Sequence, residues 1–364
     1  MTSASGRTNA PRFSRARRPR CKGCCVLAVL AAVSAMVAPA AVAMEVPPET
    51  VLDRKSAEKA WKKLARKYVD TSEAAKDMRV SASIGDTDAV KKAIKAGVSP
   101  NAANRFGKTP LMMAAENGNF QTFLYLLRAG ADVNARTVAG CTALTFAAEN
   151  NHPQMIAMLL DRGAMPDVQT RAGWTPLIYA AKYGNVDAIR MLIHRGATLN
   201  TQDRQGRTAL MIAAEKGREE AVRELIKSGA FLEARDKRSR ATALMLAADN
   251  RHYRIVDMLL RAGAKINARD SFGATALIRA AEEDHDPVIR VLLAHGADVN
   301  VQDEDGETAL MKAARNGSPR VVRMLLDMGA DPSLKNNKGE TALDLARKAK
   351  AEKVVRLLEE AIKK

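Results

Sequence analysis

The hydrophobic and polar positions of the chain follow a pattern that recurs at a fixed distance. Its fullest form is residues 206–214, in which Gly-x-Thr is followed by apolar residues and ends on two alanines. The threonine recurs at residues 109, 142, 175, 208, 242, 275, 308 and 341, at a step of 33 residues with a single step of 34. A constant step of this size is typical of a stack of similar units, each of which buries its apolar face against its neighbours.

Each copy of the pattern predicts two short helices joined by a turn. Thr109 is placed to cap the first helix, and Pro110 suits its first turn, where a backbone N–H has no partner within the helix. Leu111 belongs to the apolar face, and Gly118 can adopt the left-handed conformation that ends a helix. A second helix then runs to an apolar pair before a closing glycine. That glycine recurs at residues 97, 130, 163, 196, 229, 263, 296 and 329, and the last copy lacks it.

The turn after the first helix is kept less strictly than the closing turn. Asn151, Arg251 and Asp284 occupy the position of the glycine that ends the first helix. Asparagine tolerates the left-handed conformation, and we expect arginine and aspartate to adopt it with some strain. The 34-residue step falls at residues 238–240, where no glycine is present. This insertion predicts a longer, irregular and basic loop.

The repeated residues resemble the ankyrin repeat, whose T-P-L-H-x-A signature has a period of about 33 residues. The resemblance covers residues 74–361, and the predicted repeat domain is 74–364. Residues 74–103 fit as a degenerate first repeat, and eight repeats follow, including a polar C-terminal cap. The resemblance implies an all-α solenoid of helix–turn–helix units joined by β-finger loops. It also implies that the finger tips and the exposed ends of the first helices form a concave surface that binds proteins.

The first 43 residues differ in composition from the repeats. They hold seven Lys and Arg and no acidic residue, and the run from Cys24 to Met44 carries no charge. With the small-residue triplet 41–43 before a cleavage point, this pattern predicts an export signal and a periplasmic or secreted protein. The signal is also the basis on which we predict a bacterial source. The alternative is an uncleaved anchor in the inner membrane, because an uncharged run of this length can span a bilayer.

Residues 44–73 connect the predicted signal to the repeats. Residues 47–48 are both proline and form a short linker, and residues 56–69 have the spacing of an amphipathic helix. We expect this helix to cover the open end of the stack, because terminal units need caps. The alternative is a helix rich in Lys and Arg that binds a partner.

Candidate chemistry is sparse. The histidines show no ligand-pair spacing, and His152, His252 and His285 occupy equivalent positions in separate repeats. Cys141 is the only cysteine beyond the predicted signal, and we expect its thiol to be inert. The sequence has no phosphate-binding loop, nucleophile elbow or carboxylate pair. It therefore predicts no enzymatic activity, no cofactor and no metal site.

Charge and aromatic content favour a binding role. The formal net charge is +17, and +10 remains when the seven basic residues of the first 43 are left out, which favours acidic partners. Aromatic and basic residues occur together at the fingers, a composition typical of interface hot spots. The predicted partner-binding residues are Arg105, Phe106, Lys108, Arg171, Trp174, Tyr183, Arg204, Arg207, Lys237, Arg238 and Arg240.

These observations predict a scaffold that binds another protein, one with an acidic surface, and no small-molecule substrate. The alternative function is a basic solenoid that lies on an anionic membrane surface or on nucleic acid. The acidic finger at residues 304–307 and the lack of any nucleic-acid-binding motif disfavour this alternative.

Overall fold

A computed structural model describes residue 63 and residues 66–363, all within one compact unit, Leu52–Lys364. This part of the chain contains eighteen helices and no β-strand, which confirms the predicted all-α fold. The predicted export signal and linker, and most of the predicted helix over residues 56–69, lie outside the described residues.

The helices form nine consecutive pairs, which we number as units 1 to 9. In each unit a first helix (helix A) is followed by a second (helix B). The pairs are α1 (Glu73–Ile84) and α2 (Thr87–Lys95), α3 (Pro110–Glu116) and α4 (Phe120–Arg128), α5 (Ala143–Glu149) and α6 (Pro153–Asp161), α7 (Pro176–Tyr183) and α8 (Val186–His194), α9 (Ala209–Glu215) and α10 (Glu219–Lys227), α11 (Ala243–Asp249) and α12 (Tyr253–Arg261), α13 (Ala276–Glu282) and α14 (Asp286–Ala294), α15 (Ala309–Arg315) and α16 (Pro319–Asp327), and α17 (Ala342–Lys348) and α18 (Glu352–Ile362).

The repeated threonine begins every helix A of units 2 to 9. Its hydroxyl accepts a hydrogen bond from the backbone N–H three residues later, at 3.3–3.5 Å. Each bond satisfies one of the N–H groups that a helix start leaves without a partner, and such a cap stabilises a helix by about 1 kcal/mol. The predicted capping role is therefore confirmed.

The turn after helix A has the predicted left-handed backbone even where glycine is absent. Asn151, Arg251 and Asp284 have φ angles of 56°, 63° and 56°. Glycine, which has no Cβ, adopts these angles without strain. Arg251 and Asp284 therefore mark positions where the packing of the units imposes a turn that their side chains disfavour.

The core is a continuous layer of small and branched apolar side chains. The two alanines that end the pattern are fully buried in units 2 to 8, because each helix A packs against the helix A of the next unit. Small side chains let these helices approach closely, while leucine and isoleucine from helix B fill the space behind them. Each unit therefore depends on its neighbours for burial.

Polar side chains also join successive units. Asn185 Nδ2, just before α8, donates to the carbonyl oxygens of Ala148 and Glu149 at the end of α5, at 3.0 and 2.6 Å. At the equivalent position a ring nitrogen of His285 lies 2.9 Å from the carbonyl oxygen of Ala248. His252 contacts the carbonyl oxygen of Glu215 in the same way, at 3.2 Å. These histidines satisfy helix carbonyls, which gives them a structural role.

The fingers that connect the units are extended loops. Neighbouring fingers share a single backbone hydrogen bond, such as Arg204 N–H to the carbonyl oxygen of Ala172 at 3.1 Å. Most fingers close by a hydrogen bond across five residues, whereas the finger at residues 236–241 closes one residue later, from Asp236 N–H to Ala241. Arg240, with a φ angle of 56°, makes this irregular turn, so the predicted insertion is confirmed.

Candidate functional site

One face of the stack is formed by the fingers together with the helices A, and we call it the inner face. Its helix-A row contains one residue from each unit, at equivalent positions. These residues are Val80, Met113, Phe146, Tyr179, Ile212, Leu246, Arg279, Lys312 and Leu345. The first six are apolar or aromatic, units 7 and 8 contribute Arg279 and Lys312, and unit 9 contributes a leucine. An apolar part at units 1 to 6 is therefore followed by a charged part at units 7 and 8.

Aromatic residues of units 3 and 4 form what we call the aromatic cluster, made of Phe146, Trp174, Tyr179 and Tyr183. The Trp174 and Tyr179 rings meet edge to face, with centroids 5.1 Å apart and an interplanar angle of 70°. This geometry is favourable for aromatic pairs. The indole Nε1–H of Trp174 also donates to Asp203 Oδ2 at 3.1 Å, which fixes the ring against the next finger.

Two lysines lie over the rings of this cluster. The Lys182 ammonium is 5.0 Å from the centroid of Trp174 and 4.7 Å from that of Tyr183, and it donates to the Tyr183 hydroxyl at 3.2 Å. The Lys108 ammonium is 4.6 Å from the Phe146 centroid and forms an ion pair with Glu116. Among the described residues no carboxylate lies at ion-pair distance from Lys182. The cluster therefore carries one ammonium group whose charge is held only by aromatic rings and a hydroxyl.

Cys141 contacts the same cluster through Tyr179. Its Sγ is 3.9 Å from the Tyr179 hydroxyl oxygen. Burial raises the pKa of the Cys141 thiol, and burial also raises the pKa of the Tyr179 hydroxyl. Both groups therefore stay protonated near neutral pH, so the geometry gives no support to a reactive thiolate.

The cations of the charged part, and Arg207 in the finger that precedes α9, are paired within the protein. Arg207 binds Asp203 at 3.0 Å and Glu215 at 3.1 Å. Arg279, on α13, binds Asp270 at 2.8 Å and also pairs with Asp249 of the preceding helix A. Guanidinium groups held by two carboxylates have little charge left to offer a ligand.

Lys312 is the most deeply placed of these cations, with 9% of its side chain exposed. Its ammonium lies 2.9 Å from Glu307, 3.2 Å from Asp303 and 3.6 Å from Glu282. Burial acts to lower the pKa of Lys312, but the hydrogen bond to Glu307 and the nearby carboxylates outweigh it and raise the pKa. Burial would likewise raise the pKa of Glu307, but hydrogen bonds from Arg315 and Lys312 lower it. We call this group the Lys312 network.

The structure places most of the predicted binding residues on the fingers, at differing depth. Those exposed at finger tips are Arg105, Phe106, Arg204, Lys237, Arg238 and Arg240. Tyr183, at the end of α7, is 41% exposed. The half-buried residues are Lys108, Arg171, Trp174 and Arg207.

Two of these placements correct the expected exposure. Trp174 does not project freely from its finger, because it packs against the core and bonds Asp203. Arg207 is held by its two carboxylates. Sequence reasoning also left Phe146, Tyr179 and Lys182 out of the site, although the 33-residue step places Phe146 and Tyr179 in one row with Met113.

Other kinds of site find no support in the described part of the chain. Residues 63 and 66–363 contain no group of three or more His, Cys, Asp or Glu side chains arranged to hold a metal ion. No helix in the same part combines the length and the apolar character that a membrane span requires.

The regular caps, turns and stacking agree with the match of the chain to a family model described as "Ankyrin repeats (3 copies)". It matches residues 78–170, 165–236, 232–303 and 277–364. The chain belongs to the ankyrin-repeat family. A comparison with curated proteins gives no significant match. Ankyrin repeats generally act as protein–protein interaction modules, and ankyrin-repeat proteins are typically non-enzymatic scaffolds.

Proposed function

We propose that this ankyrin-repeat protein is a scaffold that binds a partner with an acidic surface. The binding surface consists of the aromatic cluster and the basic fingers on the inner face. The single observation that carries the proposal is that some cations on this face have carboxylate partners and others do not. Lys182, Arg105, Arg204, Arg238 and Arg240 lack carboxylate partners among the described residues, whereas Arg279, Lys312 and Arg315 on the same face are paired.

The composition of the cluster supports a protein ligand. Half-buried tryptophan and tyrosine rings beside cations provide both apolar area and charge, which is the chemistry of interface hot spots. Exposed cations at Arg105 and Arg204 would steer an acidic partner and raise its rate of association.

The test compares two tyrosines of equal exposure. Tyr183 and Tyr253 are both 41% exposed, but Tyr253 lies on helix B of unit 6, away from the inner face. Partners are captured on the wild-type protein and on the Tyr183→Ala, Arg204→Ala and Tyr253→Ala variants. We expect the first two variants to lose the captured protein and the third to retain it. Equal capture by all correctly folded variants would refute the proposed surface.

The exposed cations of the finger at residues 236–241 also favour a second candidate, adhesion to an anionic membrane surface or nucleic acid. In that case binding would fall steeply with salt concentration and would not need the aromatic cluster. Binding to anionic vesicles and to duplex DNA, measured for the wild type and for Tyr183→Ala over a range of salt concentrations, separates the two functions. A partner protein requires Tyr183, whereas an anionic surface does not.

We also propose that the protein is exported, on the composition of residues 1–43. N-terminal sequencing of the protein from fractionated cells tests this. A chain that begins at Met44 in the periplasmic or secreted fraction is the expected result. An intact N-terminus in the inner-membrane fraction would support the anchored form, and an intact N-terminus in the cytoplasm would refute export.

A further inference from the structure

The cations of the inner face and fingers fall into two sets when their partners are considered. One set is bound to carboxylates of the protein itself: Lys108, Arg207, Arg279, Lys312, Arg315 and Lys348. The other set has no carboxylate at ion-pair distance among the described residues, and it includes Arg105, Lys182, Arg204, Lys237, Arg238 and Arg240, with Arg269, Lys335 and Lys338 further along the chain. The first six of these lie on the fingers and helices A of units 2 to 6. Most of the unpaired cations are therefore found in that part of the inner face.

Lys182 differs from the other members of its set, because it is half-buried and held in place. The rings of Trp174 and Tyr183 lie beneath its ammonium, and the Tyr183 hydroxyl accepts one of its hydrogen bonds. Neutral rings and a hydroxyl do not cancel the charge. A carboxylate that reached this ammonium would form a charge-assisted hydrogen bond to a donor that is already positioned.

The same arrangement disfavours a cationic ligand. Aromatic clusters can bind cations, but here Lys182 lies over Trp174 and Tyr183, and Lys108 lies over Phe146. An arginine or lysine of a partner would have to approach these ammonium groups, and like charges at such a distance repel. The cluster is therefore suited to a ligand that presents an anionic group beside an apolar side chain.

The neighbours of Lys182 supply the apolar surface. Tyr179 lies on α7 one turn before Tyr183, and Phe146 is its counterpart on α5. Both rings are half-buried, so each offers part of its surface to a ligand. A side chain adjacent in sequence to a bound carboxylate would lie within reach of these rings.

The charged part of the inner face offers no comparable contact. A partner that contacted the Lys312 network would displace carboxylates from an ammonium that is 9% exposed. Separating such a pair leaves buried charges without partners, which is strongly unfavourable. A partner segment therefore binds more favourably if its contacts with the inner face end before unit 7.

We propose that the ligand of this surface is a peptide segment in which aspartate or glutamate stands beside an aromatic or large aliphatic residue. The carboxylate binds Lys182, and the apolar side chain packs on Tyr179, Tyr183 and Phe146. This inference rests on the proposed protein-binding function and names the chemistry that its partner presents.

The test uses short synthetic peptides in a Gly-Ser background with fluorescein at one end. Their central pair is Glu-Phe, Gln-Phe, Glu-Gly or Lys-Phe, and binding to the full chain is measured by fluorescence anisotropy. We expect the Glu-Phe peptide to bind about tenfold more tightly than the Gln-Phe and Glu-Gly peptides, and the Lys-Phe peptide to bind more weakly still. Equal binding of Glu-Phe and Gln-Phe, or no binding of any peptide, would overturn the inference.

Two lysine variants test whether Lys182 is the residue responsible for the preference for the Glu-Phe peptide. Lys182→Gln should abolish the preference for Glu-Phe over Gln-Phe. Lys265→Gln, which removes an equal charge from an exposed loop without an ion pair, should preserve it. A preference that survives in Lys182→Gln would contradict the inference. If that happens while Tyr183→Ala still loses the captured partner, the proposed function stands and only the ligand chemistry is wrong.

Discussion

The Lys312 network allows a prediction whose size follows from its geometry. The Lys312→Met variant keeps the length of the side chain but removes an ammonium that contacts three carboxylates. The side chains of Glu307 and Asp303 are 8% and 7% exposed, so their charges would remain where water reaches them poorly. Removing one partner of a buried ion pair costs roughly 3–5 kcal/mol.

Two remaining contacts place the expected loss near the lower end of that range. Arg315 still pairs with Glu307, and Asp303 still accepts backbone N–H groups from Asp305 and Glu307. We therefore expect Lys312→Met to lower the free energy of unfolding by about 3 kcal/mol near neutral pH. The Lys335→Met control removes an exposed lysine without an ion pair, and it should change stability by less than about 0.5 kcal/mol.

The pH dependence of this loss gives a second check. The pKa of Glu307 in the folded protein lies below its ordinary value of 4.5, so its contribution to stability is present above that value and is lost as the pH falls through the folded pKa. The difference between wild type and Lys312→Met should therefore shrink in acid. Urea unfolding followed by circular dichroism at several pH values measures both effects. A Lys312→Met variant as stable as Lys335→Met, or a loss that does not change in acid, would refute this account of the network.

Three further variants test the caps and turns by the same urea assay. Thr208→Ala should lose about 1 kcal/mol with its helix cap, and no loss would contradict the capping role. Asp284→Gly should gain about 1 kcal/mol by relieving its left-handed backbone, whereas Asp298→Gly, outside such a turn, should show no gain. His285→Ala should lose about 2 kcal/mol by leaving a helix carbonyl unsatisfied, and His285→Asn should recover most of it because Asn185 makes the equivalent bonds. Failure of asparagine to rescue would argue against that bond.

Local rules explain why the fold could be predicted from the sequence. A threonine before an apolar run caps a helix wherever it occurs, and a turn that requires a positive φ favours glycine or forces another residue into the same conformation. The substitutions at Asn151, Arg251 and Asp284 were therefore interpretable without coordinates. The extra residue at 238–240 was also visible, because it interrupts a constant step.

The candidate site was less predictable, because its properties depend on which side chains pair in the folded chain, at separations from 4 to about 30 positions. The sequence shows that Arg207 is basic, but only the folded chain shows that two carboxylates hold it. Trp174 appeared to be an exposed anchor, yet its indole bonds an aspartate of the following finger. Lys182 is not among the predicted binding residues, because nothing in its local sequence shows that it lacks a carboxylate partner.

The ion pairs between units also restrict how such a gene can change in length. A constant step makes duplication or loss of one copy structurally simple where successive helices A meet through apolar side chains, as α3, α5 and α7 do. Arg279 and Lys312 each depend on an acidic residue supplied by the preceding copy, Asp249 and Glu282. A recombination event that changed the neighbour would leave a cation facing the wrong residue. Copy number should therefore vary more easily at units 2 to 4, whose helices A meet through apolar side chains, than at units 6 to 8.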